Sequence, residues 1–229
     1  MGNLKSKNIL ITSGPTRGYI DAVRYISNKS TGKLGATIAI EALKREACVT
    51  FVYGTGSSTP DITLLGKDYA RRLTLNEIET IDDLLLTIQE KLKGKSFDAI
   101  AHAMAVLDYA PEKKSEGKIA SIKDTLTITL LKTPKVIKQI RTLWPHAFLI
   151  GFKLEVGLSR DELVERAYAS MIESSADLVV ANNQNEIVSD KHRAYLINSH
   201  KEVVSRCETK QDIASNLMDL IARNCNRLL

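Results

Sequence analysis

Cysteine and large aromatics are scarce in this 229-residue chain, which has three Cys, one Trp and four Phe. Cys48, Cys207 and Cys225 are odd in number, widely spaced and without a Cys-x-x-Cys pair, which argues against a disulfide framework and against a zinc site. Cys48 opens an apolar run and reads as a small buried hydrophobe. With so few rings, and no basic run interleaved with aromatics, the chain has no stacking platform for nucleic acid. No stretch of about eighteen apolar residues occurs, and the opening MGNLKSKNILITSG turns straight into a strand. No membrane and no export are therefore expected, and a cytoplasmic location is. Also missing are the six-residue glycine fingerprint of dinucleotide enzymes and the Gly-Lys-Ser/Thr of a P-loop.

An apolar content of 44% is enough for one sizeable core, and the βα patterning favours a single domain over residues 1–229. A net charge of +5 suits an anionic small molecule. The most informative stretch comes first. A strand over Asn8 to Ser13 runs into GPTRGYIDAVRYISNKSTGKLG before a helix begins. That loop is about sixteen residues long, where a βα turn needs about two to six. Ser30 and Thr31 are good N-cap types, Gly32 and Gly35 permit close backbone approach, and Ala36, Ile38, Ala39, Ala42 and Leu43 make an apolar helix face. Free N–H groups near residues 30 to 33, with Arg17, Arg24, Lys29 and Lys33 around them, suit a phosphate.

Further along, Cys48 to Tyr53, Leu73 to Ile78, Phe97 to Val106, Phe148 to Glu155 and Asp177 to Asn183 read as strands, with helices over Ile81 to Leu92, after Thr133-Pro134, and over Ser159 to Ser174. Thr133 is expected to cap its helix with Pro134 at the first position. Ala194 to Asn198 and Glu202 to Cys207 read as a hairpin across SHK, followed by an amphipathic helix from about Gln211. The expected fold is α/β, a Rossmann-like doubly wound, mostly parallel sheet with a C-terminal hairpin and helix, and its ligand crevice lies at the carboxyl ends of the strands. Residues 109 to 132, polar and basic and then alternating, leave the sheet as an arm that covers the site or pairs with another subunit.

Taken together, ITSGPTRGYIDAVRYISNKSTGKLG, AHAMAVLDYAP, EGKIAS, KTPKVI, GFKLE and DLVVANN, in this order, resemble phosphopantothenate–cysteine ligase over about residues 8 to 215. With no flavin-type decarboxylase domain ahead of it, the chain looks like the free-standing form. The resemblance implies a ligase of coenzyme A biosynthesis, a homodimer, that activates the carboxylate of 4′-phosphopantothenate with Mg2+ and CTP, or ATP, and passes the acyl group to L-cysteine. It gives catalytic roles to Asn28, which holds the acyl-nucleotidylate, and to Lys118, which meets the triphosphate. Nucleotide contacts are implied for Gly14 and Thr16, for Ala103, Met104 and Asp108, and for Lys118. They are implied also for Thr133, Pro134, Lys135, Val136 and Phe152. Arg24, Asn28, Ser30, Thr31 and Gly32 are implied for phosphopantothenate, while the metal ligands stay unassigned.

His102 is read as a strand residue near the site, without a partner that would make it a base. The chain departs from the family's pattern at Pro15, Leu107 and Asn183, and at Ser170 and Ser174, where lysines facing the triphosphate are common. Those departures leave an alternative in view: a non-catalytic protein of the same fold that binds nucleotide or phosphopantothenate.

Overall fold

The computed structural model describes residues 3–63, 66–122, 124–188 and 191–225. Its centre is an eight-stranded sheet built from β1 (Asn8–Ser13), β4 (Cys48–Gly54), β5 (Leu73–Ile78), β6 (Ala99–His102), β9 (Phe148–Glu155), β10 (Leu178–Val188), β11 (Lys191–Asn198) and β12 (Val203–Thr209). The spatial order is β12-β11-β10-β9-β6-β1-β4-β5. Strands β5, β4, β1, β6, β9 and β10 are parallel, and the last two strands return antiparallel as the expected hairpin. Counted along the chain, the parallel set has the 3-2-1-4-5-6 order of a doubly wound dinucleotide-type sheet, which reverses direction between β1 and β6.

The strand sequences are almost continuously apolar because both faces are covered. Ile9 and Ile11 of β1 pack on one side with α1 (Lys33–Lys44) and α6 (Lys210–Cys225), while Leu10 points to the other. That second layer holds α3 (Ile81–Leu86), which continues as a π-helical turn over Thr87–Leu92, with α4 (Val136–Leu143) and α5 (Arg160–Ser174). A short α2 (Lys67–Ala70) precedes β5. No helix among the described residues is long and apolar enough to cross a membrane.

Two small sheets sit on this frame. The long first loop folds into a hairpin of β2 (Arg17–Tyr19) and β3 (Tyr25–Ser27). The arm starts and ends as a second pair, β7 (Tyr109–Pro111) with β8 (Leu130–Lys132), so of the alternating stretch at the arm's end only the last three residues form a strand.

Three local expectations are corrected. Helix α1 begins at Lys33 with Gly32 as its N-cap in the left-handed region (φ 75), and neither Ser30 nor Thr31 caps it. Helix α4 begins at Val136 with Lys135 as N-cap, because Thr133 is drawn off to β6's trailing segment. Cys48 is exposed rather than buried, since it is the first residue of its strand and precedes the covered part.

Candidate functional site at the sheet switch point

Beyond β1 and β6 the two chains keep travelling side by side, and this pairing shapes the site. Ala103 N donates to Thr12 O (3.0 Å), Ala105 N to Gly14 O (2.8 Å), and Thr16 N to Ala105 O (3.3 Å). The buried Thr16 hydroxyl then accepts from Leu107 N (3.0 Å). Gly14 is required here: it has φ 77, and a Cβ on it would lie 2.0 Å from Ser57 Oγ. Pro15 forms a bridge with Ala105, so the N–H it lacks is missed by no partner in this stretch.

Residues 104 to 108 form one wall of a cleft of about 290 Å3. The opposite wall comes from Thr133 to Ile137 at the start of α4, and the floor from Gly151 to Leu154 of β9 together with Ser170 and Ser174 of α5. Thr133 holds the walls together, with its N–H on Asp108 O (2.9 Å) and its hydroxyl on Leu107 O (2.5 Å). Across the mouth, Lys135 Nζ pairs with Asp108 Oδ1 at 2.7 Å, both side chains well exposed. A cleft whose lining mixes apolar side chains such as Met104, Val136 and Phe152 with polar and charged ones can take a nucleoside carrying phosphates.

His102 lies at the back of this cleft, buried, with Nδ1 2.7 Å from the Thr12 hydroxyl. Burial pushes its pKa down to about 4, so the ring is neutral at pH 7. Its hydrogen bond to Thr12 gives it an orienting partner and no carboxylate to make it a base.

The structure brings Met104, Asp108, Thr133, Pro134, Lys135, Val136 and Phe152 to this cleft. Phe152 also packs against the core, so it lines the cleft and fills the core at once. Gly14, Thr16 and Ala103 are not among the lining residues; they support the wall from behind, and Ala105, two residues on, is the small side chain that faces the cleft. Asn28 stands at the rim, where its Nδ2 donates to Ala105 O (3.1 Å) and Val106 O (3.3 Å). Ser30 to Gly32 lead into α1, with Gly32 O accepting from Ser13 Oγ at 3.0 Å. Arg24 does not turn toward that helix start: its guanidinium chelates Asp21 (2.9 and 2.6 Å) and donates to Ile119 O (2.7 Å). Lys118 lies exposed on the arm, outside the cleft lining, and no ion pair engages it among the described residues.

Helix α5 presents Ser170 and Ser174 to the cleft where the resemblance led to an expectation of lysines, and cations reach the cleft from other elements. Ser174 turns its hydroxyl back to Ser170 O (2.8 Å) in its own helix. Lys135 and Lys153 line the cleft instead, and Lys132, Lys135 and Lys138 lie close enough to Glu173 to hold its carboxyl below the usual range, Lys138 most directly at 3.0 Å. Lys153 lies within GFKLE, a segment from which the sequence singled out only Phe152. An alternation count on GFKLE would have placed it opposite the core-packed Phe152, but not at this mouth.

A family model described as the DNA/pantothenate metabolism flavoprotein C-terminal domain matches residues 4–225. The chain belongs to that family. A coenzyme A biosynthesis bifunctional protein CoaBC from Thermococcus kodakarensis is 37% identical over 221 residues, which cover 96% of this chain and 52% of the relative. The chain thus spans about half the length of the curated relatives it matches. The crystal structure of the DNA/pantothenate metabolism flavoprotein from Streptococcus pneumoniae superposes with a TM-score of 0.84 at 32% identity, over 95% of this chain and 99% of that one. Cab2 in complex with phosphopantothenate-cysteine shares the fold at 18% identity, with a TM-score of 0.79 over 96% of this chain and 87% of its own.

Proposed function

We propose that this protein joins 4′-phosphopantothenate to L-cysteine through an acyl-nucleotidylate, as a ligase of coenzyme A biosynthesis. The observation that carries the reading is the bonding of Asn28 to Ala105 and Val106 in the 104–108 wall, at the rim of a cleft at the carboxyl ends of β6 and β9. Membership of the family and the coenzyme A biosynthesis relatives support the same chemistry.

In the first step a carboxylate oxygen of phosphopantothenate attacks the α-phosphorus, the bond to the β-phosphate bridge breaks, and pyrophosphate leaves. Two anions must approach each other, so cations around the phosphates set the rate. Lys135 and Lys153 at the cleft and Lys118 on the arm are assigned to that task. In the second step the cysteine amine attacks the acyl carbon, the acyl–oxygen bond breaks, nucleoside monophosphate leaves, and the amine gives up a proton to solvent. Asn28 is fixed through its Nδ2, which leaves Oδ1 to receive a hydrogen bond from the incoming amine.

No group of three His, Cys, Asp or Glu able to hold a metal occurs among the described residues, and Asp108, the cleft's carboxylate, is paired with Lys135. That donor set fits Mg2+ arriving on the triphosphate as part of the substrate, since Mg2+ is commonly held by phosphates and water with little help from side chains. CTP is the proposed nucleotide, with ATP second. The working form is a homodimer in the cytoplasm, and the exposed apolar side chains Tyr109, Ile122, Leu126, Leu130 and Leu131 along the arm support the dimer.

The test is pyrophosphate release with 4′-phosphopantothenate, Mg2+, L-cysteine and either CTP or ATP. Release that requires phosphopantothenate, and that Lys118→Ala removes, supports the ligase. Folded protein that binds phosphopantothenate but releases no pyrophosphate with either nucleotide contradicts it.

A further inference from the structure

The arm between β7 and β8 has little to hold it. Residues 112 to 122 form neither helix nor strand, and nearly all their side chains are exposed. A lysine on such a segment loses much conformational freedom whenever it is localised, so an arm that works repeatedly gains from an anchor beside that lysine.

One is present, and it comes from the turn between β2 and β3. Asp21 is wholly buried, and its carboxylate accepts from Val23 N and Arg24 N (2.9 Å each) and from Arg24 Nε and Nη2 (2.9 and 2.6 Å). A turn needs no more than these. Asp21 Oδ2 nevertheless also accepts from Ile119 N at 3.0 Å, across 98 residues of chain, and Arg24 Nη2 donates to Ile119 O at 2.7 Å. Both polar groups of one arm residue, the neighbour of Lys118, are thus gripped by a single ion pair of the body. Ser115 N on Ile20 O (3.1 Å) and Lys114 over the Tyr19 ring (4.5 Å) fasten the same stretch to the same hairpin. At the arm's root Gly18 leaves room for Pro111, which a Cβ would meet at 2.8 Å.

We propose that Asp21 is a positioning residue for Lys118: with Arg24 it clamps the Ile119 peptide and so fixes where the arm lysine stands during nucleotidyl transfer. Asp21 touches no substrate in this account, and it acts through Arg24 and the arm. The Arg24 guanidinium beside it holds its carboxyl well below the usual carboxylate range, so the clamp stays charged throughout the physiological range. The inference rests on the ligase reading for the task of Lys118, but the clamp itself is tested without activity.

The experiment compares wild type, Asp21→Asn, Lys118→Ala and the double variant in single-turnover pyrophosphate release, alongside limited trypsin cleavage after Lys118 followed by mass spectrometry. The clamp predicts that Asp21→Asn slows release by about 10- to 100-fold, the range expected for losing hydrogen bonds to a charged group. It further predicts that the double variant is no slower than Lys118→Ala, and that cleavage after Lys118 quickens several-fold while cleavage elsewhere does not. Losses that multiply in the double variant, or an unchanged cleavage rate, overturn it. Should Asp21→Asn fail to fold, Ile119→Pro removes the same N–H from the arm side, outside the core; trypsin does not cut a Lys–Pro bond, so its arm is read by quickened cleavage after Lys114, with the release criteria unchanged. Wild-type protein without phosphopantothenate-dependent release defeats the ligase reading alone, since cleavage still reports on the clamp.

Discussion

An amide has a donor side and an acceptor side, and Asn28 uses them differently. Its Nδ2 is held by the carbonyls of Ala105 and Val106, so substitution by Asp places a carboxylate against two carbonyl oxygens and turns the residue away from the rim. Asn28→Asp is expected to leave pyrophosphate release within a few-fold of wild type while amide formation falls by about 100-fold or more, a loss typical of a positioned hydrogen-bonding group. Acyl-nucleotidylate then accumulates and is read by mass spectrometry of quenched reactions; equal slowing of both steps contradicts the role. His102 gives a prediction of stability instead. Its folded pKa lies near 4, below the ordinary 6.5, so the neutral ring favours the fold above pH 6.5 and that contribution is lost as pH falls toward 4. The loss is on the order of 3 kcal/mol, at about 1.4 kcal/mol for each tenfold change in proton affinity. His192, also depressed to about 4 by burial, adds a similar slope. His102→Asn should therefore show a shallower fall of the urea midpoint between pH 6.5 and 4 than wild type does, and an unchanged slope contradicts the assignment.

Helix boundaries show where local sequence was a good guide and where it was overruled. Ser159 caps α5 and Glu162 closes the capping box, as the acidic first turn suggested, because nothing else competes for that surface serine. At α4 the apparent cap was recruited by a tertiary partner, since Thr133 bonds the 107–108 backbone; at α1 Gly32 carries the chain into the helix in a left-handed turn against Ser57 and Ser58, and Thr31 Oγ1 stays 3.5 Å from Lys33 N. Ser159→Ala should cost about 1 kcal/mol in urea denaturation and leave activity unchanged. Gly32→Ala should cost more, about 1 to 3 kcal/mol, since its φ of 75 is unfavourable for alanine and its Cβ would lie 2.9 Å from Ser57 Cβ. Equal effects of the two substitutions would mean that the α1 start is less constrained than its geometry indicates. The β2–β3 hairpin was not legible, because strands of three residues are too short to alternate, and the arm's anchorage was hidden for the same reason: Asp21 and Ile119 are neighbours only in space.

At the scale of the molecule, the sheet could be read from runs such as Asn8–Ser13 and Phe148–Glu155, whose continuous apolarity reflects cover on both faces. The rest of the chain follows that frame, down to the antiparallel return of β11 and β12 around the predicted SHK turn. The cleft was legible in part. Asp108, Thr133 to Val136 and Phe152, all named from the sequence, line one cleft, while Ala105 and Lys153 needed the third dimension, and Lys118 stands on the arm outside the cleft lining. In the proposed reaction the carboxylate of phosphopantothenate attacks the α-phosphorus and the nucleotide leaves from the acyl carbon. Substrate labelled with 18O in that carboxylate tests it most directly. One labelled oxygen should appear in the nucleoside monophosphate for each amide formed, with none in pyrophosphate. Label in inorganic phosphate, or amide formed without label in the monophosphate, contradicts it.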